Sequence, residues 1–359
     1  MAKPNRARRL LRGLTISAVT FAGMGVVLEV GVRLFAPAST FHVFANVYRS
    51  HPDPSIRFTL KTSFSGRAYG AKLQTNEHGF RGPQRPVSKP PETIRIALIG
   101  DSHAFGFGVE YEESLGHQLE MHMQSDGKNC EVWNFAVAGY NTRQELAVLK
   151  SYALSVEPDI VIVIPCNNDH ETSRWADAEG WMRLSESQTT ADEDTRVQPW
   201  QQRRLEQSRR TVLATSRLAM FLQLQWMRYR MRDKSPTQEQ SGLAAVPTSR
   251  PDQGVVGTAL REYVEDPLAE LIQICKGKSI PVLLAPFTMV PEWRRLFFKM
   301  HEELGVPLVE LISVFPEATT WADLQAKHSL GWDSHMNAEA HRRWGKLLHG
   351  ECKQILAGK

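Results

Sequence analysis

The sequence predicts an α/β fold, a three-layer α/β/α sandwich of flavodoxin-like order with about five parallel strands. Short apolar runs rich in Val, Ile and Leu alternate with amphipathic stretches of helical length. These runs are nearly continuous in apolar residues, as strands buried on both faces require. Alternation of this kind also demands right-handed crossovers, which place helices on both faces of the sheet. A chain of 359 residues that is 42% hydrophobic has enough material for the core.

The chain opens with Lys3, Arg6, Arg8, Arg9 and Arg12 and no acidic residue, then runs uncharged and mostly apolar from Leu14 to Leu28. This reads as a membrane anchor over residues 13–36, its far end eased by Glu29 and Arg33 reaching the interface. Basic residues ahead of it predict a cytoplasmic amino terminus and an extracytoplasmic remainder. One alternative is a cleaved signal peptide with small residues at Ala36-Pro37-Ala38, although that site lies well beyond the apolar run. The other is a buried soluble helix, which the one-sided basic cluster disfavours.

Residues 37–92 form a lead-in segment expected to pack on the main domain. From about Phe41 to Pro90 it is rich in Ser, Gly, Pro and Asn, with short alternating pieces such as Ile56 to Leu60 and the run Thr75-Asn76-Glu77-His78-Gly79-Phe80-Arg81. The main domain spans 93–359. It begins with strand Ile94 to Ile99, a helix within Glu112 to Gln124, strand Glu131 to Phe135, a helix from Arg143 to Val156 and strand Asp159 to Pro165. An insertion over about 171–256 then breaks the rhythm. It holds Trp175, Trp181 and Trp200, a basic amphipathic helix pair from Gln202 to Arg232, and a Ser/Pro/Gln/Gly-rich loop. The tryptophans suit either sugar stacking or, more often in an insertion, packing on the host. The basic stretch suits either anionic lipid or, more simply, a helix with one solvated face. Regular structure resumes with a helix from Thr258 to Lys276, strand Ile280 to Pro286, a helix from Pro291 to Glu303 and strand Val306 to Leu311. A closing helix from Ala338 to about Leu356 has Asn337 as its cap.

The formal charge of +4 is dispersed beyond the amino terminus, so no nucleic-acid footprint stands out. Cys130, Cys166, Cys275 and Cys352 lack metal-ligand spacing. Buried free thiols are expected, with a Cys275–Cys352 disulfide as the alternative.

Four short segments fall just after strands or in the closing loop, where the carboxyl edge of a parallel sheet gathers them. They are Gly100-Asp101-Ser102, Asn134-Phe135-Ala136-Val137-Ala138-Gly139, Asn167-Asn168-Asp169 and Asp333-Ser334-His335-Met336-Asn337. A serine at the end of the first core strand is placed to attack, and His335 is the candidate base. Serine is a poor nucleophile until a base accepts its proton. Taken singly, each segment has a plainer role: a helix-capping turn at Asp101 and Ser102, a turn at Asn168 and Asp169, a left-handed backbone position at Gly139, a surface imidazole at His335.

Taken in order, the four segments resemble the SGNH (GDSL-like) hydrolase family, closely over Ile94 to Asp169 and more loosely from Ile280 onward. The resemblance implies Ser102 as nucleophile and His335 as base. It implies an oxyanion hole made by the backbone N–H groups of Ser102 and Gly139 with the Asn168 amide. Asp333 becomes the carboxylate that orients the imidazole. Two features depart from the pattern: many relatives place this aspartate three residues before the histidine, here two, and glycine is usual where Cys166 stands. Asp101 is read as structural, and His103 and His170 are left outside the site.

The implied function is a membrane-anchored, extracytoplasmic serine esterase that removes acyl groups, O-acetyl first, from envelope or exported glycans. It needs no metal and no cofactor. The alternatives are an O-acyltransferase using the same site, a lipase or thioesterase, and a catalytically silent glycan-binding protein.

Overall fold

The computed structural model describes residues 6–35, 47–170, 175–176, 182–183, 216, 218–219, 221–222, 260–331 and 333–358. Chain contacts divide it into two units, residues 1–41 with 195–235, and residues 42–194 with 236–359. Most of the insertion, including Trp181, Trp200 and the expected helix pair, lies outside the described residues, as does Ala36-Pro37-Ala38.

In the first unit, helix α1 runs over Arg6–Phe35. Its stretch Arg12–Phe35, 24 residues with a mean hydropathy of 1.7, is long and apolar enough to cross a membrane. At about 1.5 Å per residue it exceeds the roughly 30 Å of a bilayer core. Near its end Glu29 pairs with Arg33 one turn on at 2.7 Å, so the two charges offset each other. The Glu29 carboxylate also accepts from the Ser216 hydroxyl and the Leu218 backbone N–H, both at 2.8 Å.

The second unit is built on a parallel sheet. Strand β5 (Ile94–Gly100) lies at its centre, between β6 (Cys130–Asn134) and β7 (Ile160–Ile164), and β8 (Val282–Leu284) pairs with β7. All of these pairings are parallel. The segment expected as a fifth strand contributes only a bridge, Leu284 opposite Leu308. Pro307 has no N–H for a ladder, so its carbonyl accepts from Leu284 and the chain turns into a 3-10 helix at Leu311–Val314. Counted from β5, the spatial order is 2-1-3-4-5 with that bridge at the edge, the flavodoxin-like order.

Helix α3 (Leu115–Ser125) crosses from β5 to β6, and α4 (Thr142–Ser151) returns from β6 to β7. Crossovers in opposite directions with one handedness put these helices on opposite faces. On the α3 side packs α8 (Ala338–Ala357), and on the α4 side α5 (Asp266–Gly277). The three layers follow. Helices α6 (Pro291–Leu304) and α7 (Trp321–His328) complete the unit. The sequence reading left α7 out, although Thr320 and Asp323 cap it reciprocally. As expected, Asn337 caps α8 by accepting the Ala340 N–H at 3.1 Å.

The lead-in forms two hairpins, β1 (Tyr48–Ser50) with β2 (Phe58–Leu60), and β3 (Ser65–Ala68) with β4 (Ala71–Gln74). Ile56, Phe58, Leu60, Leu73 and Phe80 are buried in the same core as the sheet. Hydrogen bonds from the Tyr140 hydroxyl to the Phe58 carbonyl and from the Gln144 amide to the Ile56 carbonyl, both 2.7 Å, fix the first hairpin to the loop after β6 and to the start of α4. All four cysteines are free and buried, so the Cys275–Cys352 disulfide is not formed.

Candidate active site

Strand β5 ends on Gly100, where a side chain has no room: a Cβ there would stand 2.7 Å from the Ala104 Cβ. That close approach lets the chain turn at once into the short helix α2 (Ser102–Phe105). Asp101 caps the turn by accepting the His103 N–H, the structural role expected of it. Ser102 emerges at the carboxyl edge of the sheet and is 8% exposed.

The second half of the site comes from a closed loop between α7 and α8. Ser329 bridges Met336 in antiparallel fashion, the Leu330 N–H donates to the His335 carbonyl at 2.9 Å, and the Asn337 N–H donates to the His328 carbonyl at 2.7 Å. The pinched base holds Asp333 and His335 at the loop's crown. Leu330 rests on Gly108, where any Cβ would fall 2.2 Å from its Cδ1, so only glycine at 108 lets the loop sit down on the turn after α2.

The two halves meet. His335 Nε2 lies 2.8 Å from the Ser102 hydroxyl oxygen, across 233 positions of sequence. On its other side the ring Nδ1 makes a short contact with the Asp333 carboxylate, which also accepts the His335 backbone N–H at 2.9 Å. The two-residue spacing therefore suffices, because one oxygen serves both the main chain and the ring. Burial works to raise the Asp333 carboxyl, but hydrogen bonds and charge from His335 outweigh it and hold it below the usual range. An ionised carboxylate can only accept, so Nδ1 carries a ring proton, and the neutral imidazole of that tautomer offers its Nε2 lone pair to Ser102.

Asp101 Oδ2 stands 3.1 Å from the Ser102 hydroxyl and accepts one N–H of the Asn168 amide at 2.8 Å. That bond ties Asn168, from the loop after β7, to the residue before the serine. Its second amide N–H is not consumed by this contact. Gly139 follows β6, which pairs with β5, and so belongs to the loops of the same edge; its φ of 91° is one that glycine adopts freely. Cys166, where glycine is usual in the family, is buried, with its backbone N–H on Asp169 and its thiol toward the Ile164 carbonyl. Burial first, then the nearby Asp101 and Asp169 charges, pushes that thiol's pKa well up, so it stays neutral. Glu145, fully buried on α4, is likewise pushed up by burial and then by Asp101.

Two histidines left outside the site fall differently. The His103 ring lies 5.1 Å from that of His335, against Phe287 and Trp344. Burial, and next the neighbouring His335, presses its pKa well below the ordinary value, so it remains neutral beside that imidazole. His170 instead packs near Trp293 of α6. Sequence reasoning missed Phe107, whose ring stacks on the His335 imidazole at 4.2 Å and 26°. It also missed Arg81, 4% exposed, whose guanidinium donates to the Phe105, Gly106 and Val109 carbonyls at 3.1, 2.5 and 2.6 Å. The only signal was position: Phe107 is five residues after the serine, and Arg81 ends the Asn76 to Arg81 run.

No protein-family model matches the chain, and no curated protein matches its sequence. Among solved structures it matches a lipolytic protein of the G-D-S-L family from Desulfitobacterium hafniense DCB-2 at 14% identity and TM-score 0.40, covering 71% of this chain and 97% of that one. An esterase of the SGNH-hydrolase family matches at 17% and 0.36, covering 75% and 97%. The acetylxylan esterase of Geobacillus stearothermophilus matches at 14% and 0.39, covering 71% and 92%. The chain is similar to SGNH-type hydrolases. The likeness is distant, and the chemistry is read from this chain's own side chains.

Proposed function

We propose that this chain is a serine esterase that works through an acyl-enzyme on Ser102. The observation that carries the reading is the continuous Asp333–His335–Ser102 relay, with the ring Nδ1 on the carboxylate and Nε2 at 2.8 Å from the hydroxyl. Ser102 attacks the ester carbonyl while Nε2 takes its proton. The resulting oxyanion is received by the N–H groups of Ser102 and Gly139 and the free amide N–H of Asn168. Collapse expels the alcohol, which leaves with the proton from Nε2. Water then enters, gives its proton to the same nitrogen, and releases the carboxylic acid and the serine.

The acyl group is proposed to be O-acetyl and its carrier an envelope or exported glycan. The support is the family resemblance, together with a basic amino terminus ahead of an apolar helix, which suits an anchored enzyme with its catalytic domain outside the cytoplasm. The test uses the full chain in detergent with 4-nitrophenyl acetate, acetylated glycans and a fluorophosphonate probe. The wild type should release acetate and become labelled. Ser102→Ala should lose about 10⁴-fold or more in turnover and all labelling, with Tm nearly unchanged. Turnover retained by that variant, or wild-type protein that is folded yet resists the probe, overturns the reading.

A further inference from the structure

The hairpin β3–β4 closes on two residues, Tyr69 and Gly70, between the paired Ala68 and Ala71. Their φ angles are 54° and 82°, both left-handed. A two-residue turn of this hand ordinarily carries Asn or Asp before Gly, because a bulky side chain gains nothing from that backbone. Tyr69 is the only aromatic residue among the described residues with a positive φ. Its ring is not turned to solvent: it is 6% exposed and lies 4.5 Å from the ring of Phe107. Phe107 in turn is the ring stacked on His335. The Tyr69 hydroxyl donates to the Tyr48 hydroxyl at 2.5 Å, and the Tyr48 hydroxyl donates to the carbonyl of Ala138, the residue before Gly139, at 3.3 Å. One side chain at a hairpin tip thus reaches the base through a ring and the loop of Gly139 through a hydroxyl.

We propose that Tyr69 is a positioning residue, its ring pressing Phe107 flat against the His335 imidazole. Asp333 holds the imidazole at one nitrogen and leaves its plane free to rock about that bond. A ring stacked on its face fixes the plane and so the aim of Nε2 at Ser102. Arg81 pins the backbone on both sides of Phe107, at Phe105, Gly106 and Val109, and leaves only the Phe107 side chain to be held. Tyr69 packs on that side chain, and the lead-in thereby becomes part of the site it precedes.

This inference rests on the esterase reading above, and its test separates the two. With the full chain in detergent, kcat and KM for 4-nitrophenyl acetate and Tm are measured for the wild type, Tyr69→Leu, Tyr69→Phe, Phe107→Leu and the Tyr69→Leu/Phe107→Leu double variant. Tyr69→Leu and Phe107→Leu should each lower kcat about tenfold with KM within about twofold. Tyr69→Phe, which keeps the ring, should recover most of the loss. In the Phe107→Leu background, adding Tyr69→Leu should cost less than about twofold more, since residues acting through one contact are not additive. Independent, multiplying losses overturn the proposal, as does a loss confined to KM. Phe107→Leu at wild-type kcat overturns it even where Tyr69→Leu fails to fold. A wild type without turnover removes both this inference and the esterase reading, whereas an active wild type with additive losses removes this inference alone.

Discussion

Arg95, the second residue of strand β5, and Arg81, beside the loop beyond its other end, are both buried arginines, and they are satisfied in different ways. Arg95 is fully buried with every donor used: Nε on Glu131 at 2.8 Å, and the four remaining N–H groups on the carbonyls of Val87, Val156, Pro86 and Ser88. Arg81 has carbonyl partners, no carboxylate within ion-pair distance among the described residues, and an Nε without a partner. Burial lowers its pKa to about 10, which still leaves it charged at neutral pH. The amino edge of the sheet is closed by paired charge, with Lys89–Asp159 and Arg85–Glu120 beside Arg95. At the carboxyl edge, donors and acceptors remain for a reacting group. On the proposed function, the same strand carries stability at one end and chemistry at the other.

The sharpest way to break that contrast is at Asp333. If the carboxyl edge is built for chemistry, Asp333→Asn should lower kcat by about 10³–10⁴-fold, because the amide no longer fixes the proton on Nδ1. Its Tm should fall only slightly, since the side chain is 29% exposed and sits on a surface loop. Rates near wild type would transfer the orienting role to another group. The converse holds at the other edge: Arg95→Met leaves the Glu131 carboxylate with only the Trp133 indole N–H, strips four carbonyls of their donor, and should cost about 3–5 kcal/mol of stability. The kcat of the protein that remains folded should stay within about twofold of wild type. Chemical denaturation and active-site titration measure the two separately, and a large loss of kcat per labelled serine would end the division of labour.

The contrast also marks what could be read from sequence. Ile94–Gly100, Ile160–Ile164 and the loops after them declare themselves because a buried parallel strand must be apolar throughout and its end must turn sharply. Ser102, Asn168, Asp333 and His335 are legible for the same reason: each stands in a short segment just beyond an element. Gly139 is legible only by its place in order. The fifth strand was overread because the Val306 to Leu311 pattern is apolar, while Pro307 denies it a ladder. The lead-in is opaque to a local reading, because Tyr69 and Arg81 act through contacts 24 to 38 positions away that no local pattern encodes. Its left-handed turn is also hidden, since Tyr69-Gly70 lacks the asparagine that announces such hairpins.

The smallest effect concerns pH and the helix behind the site. His341, on α8, accepts the N–H of Leu115 at its ring Nδ1, 3.3 Å away, and so satisfies one of the first-turn N–H groups of α3 that have no partner within the helix. An acceptor nitrogen must be unprotonated. Burial holds the His341 pKa well below 6.5, and the neighbouring His103, Arg81 and His335 lower it further. In the unfolded chain the same imidazole titrates near 6.5, so between the two values the unfolded state binds the extra proton. Stability is then fully present above about pH 6.5 and is lost as pH falls below it, by up to about 1.4 kcal/mol per pH unit for this group. His103, depressed in the same direction, adds to the slope. Tm measured from pH 8 to pH 5 should stay level and then decline below about 6.5. His341→Gln, which keeps an acceptor for Leu115 but no titrating group, should flatten the acid limb. An unchanged acid limb in that variant would mean that His341 does not carry its share of the proton linkage.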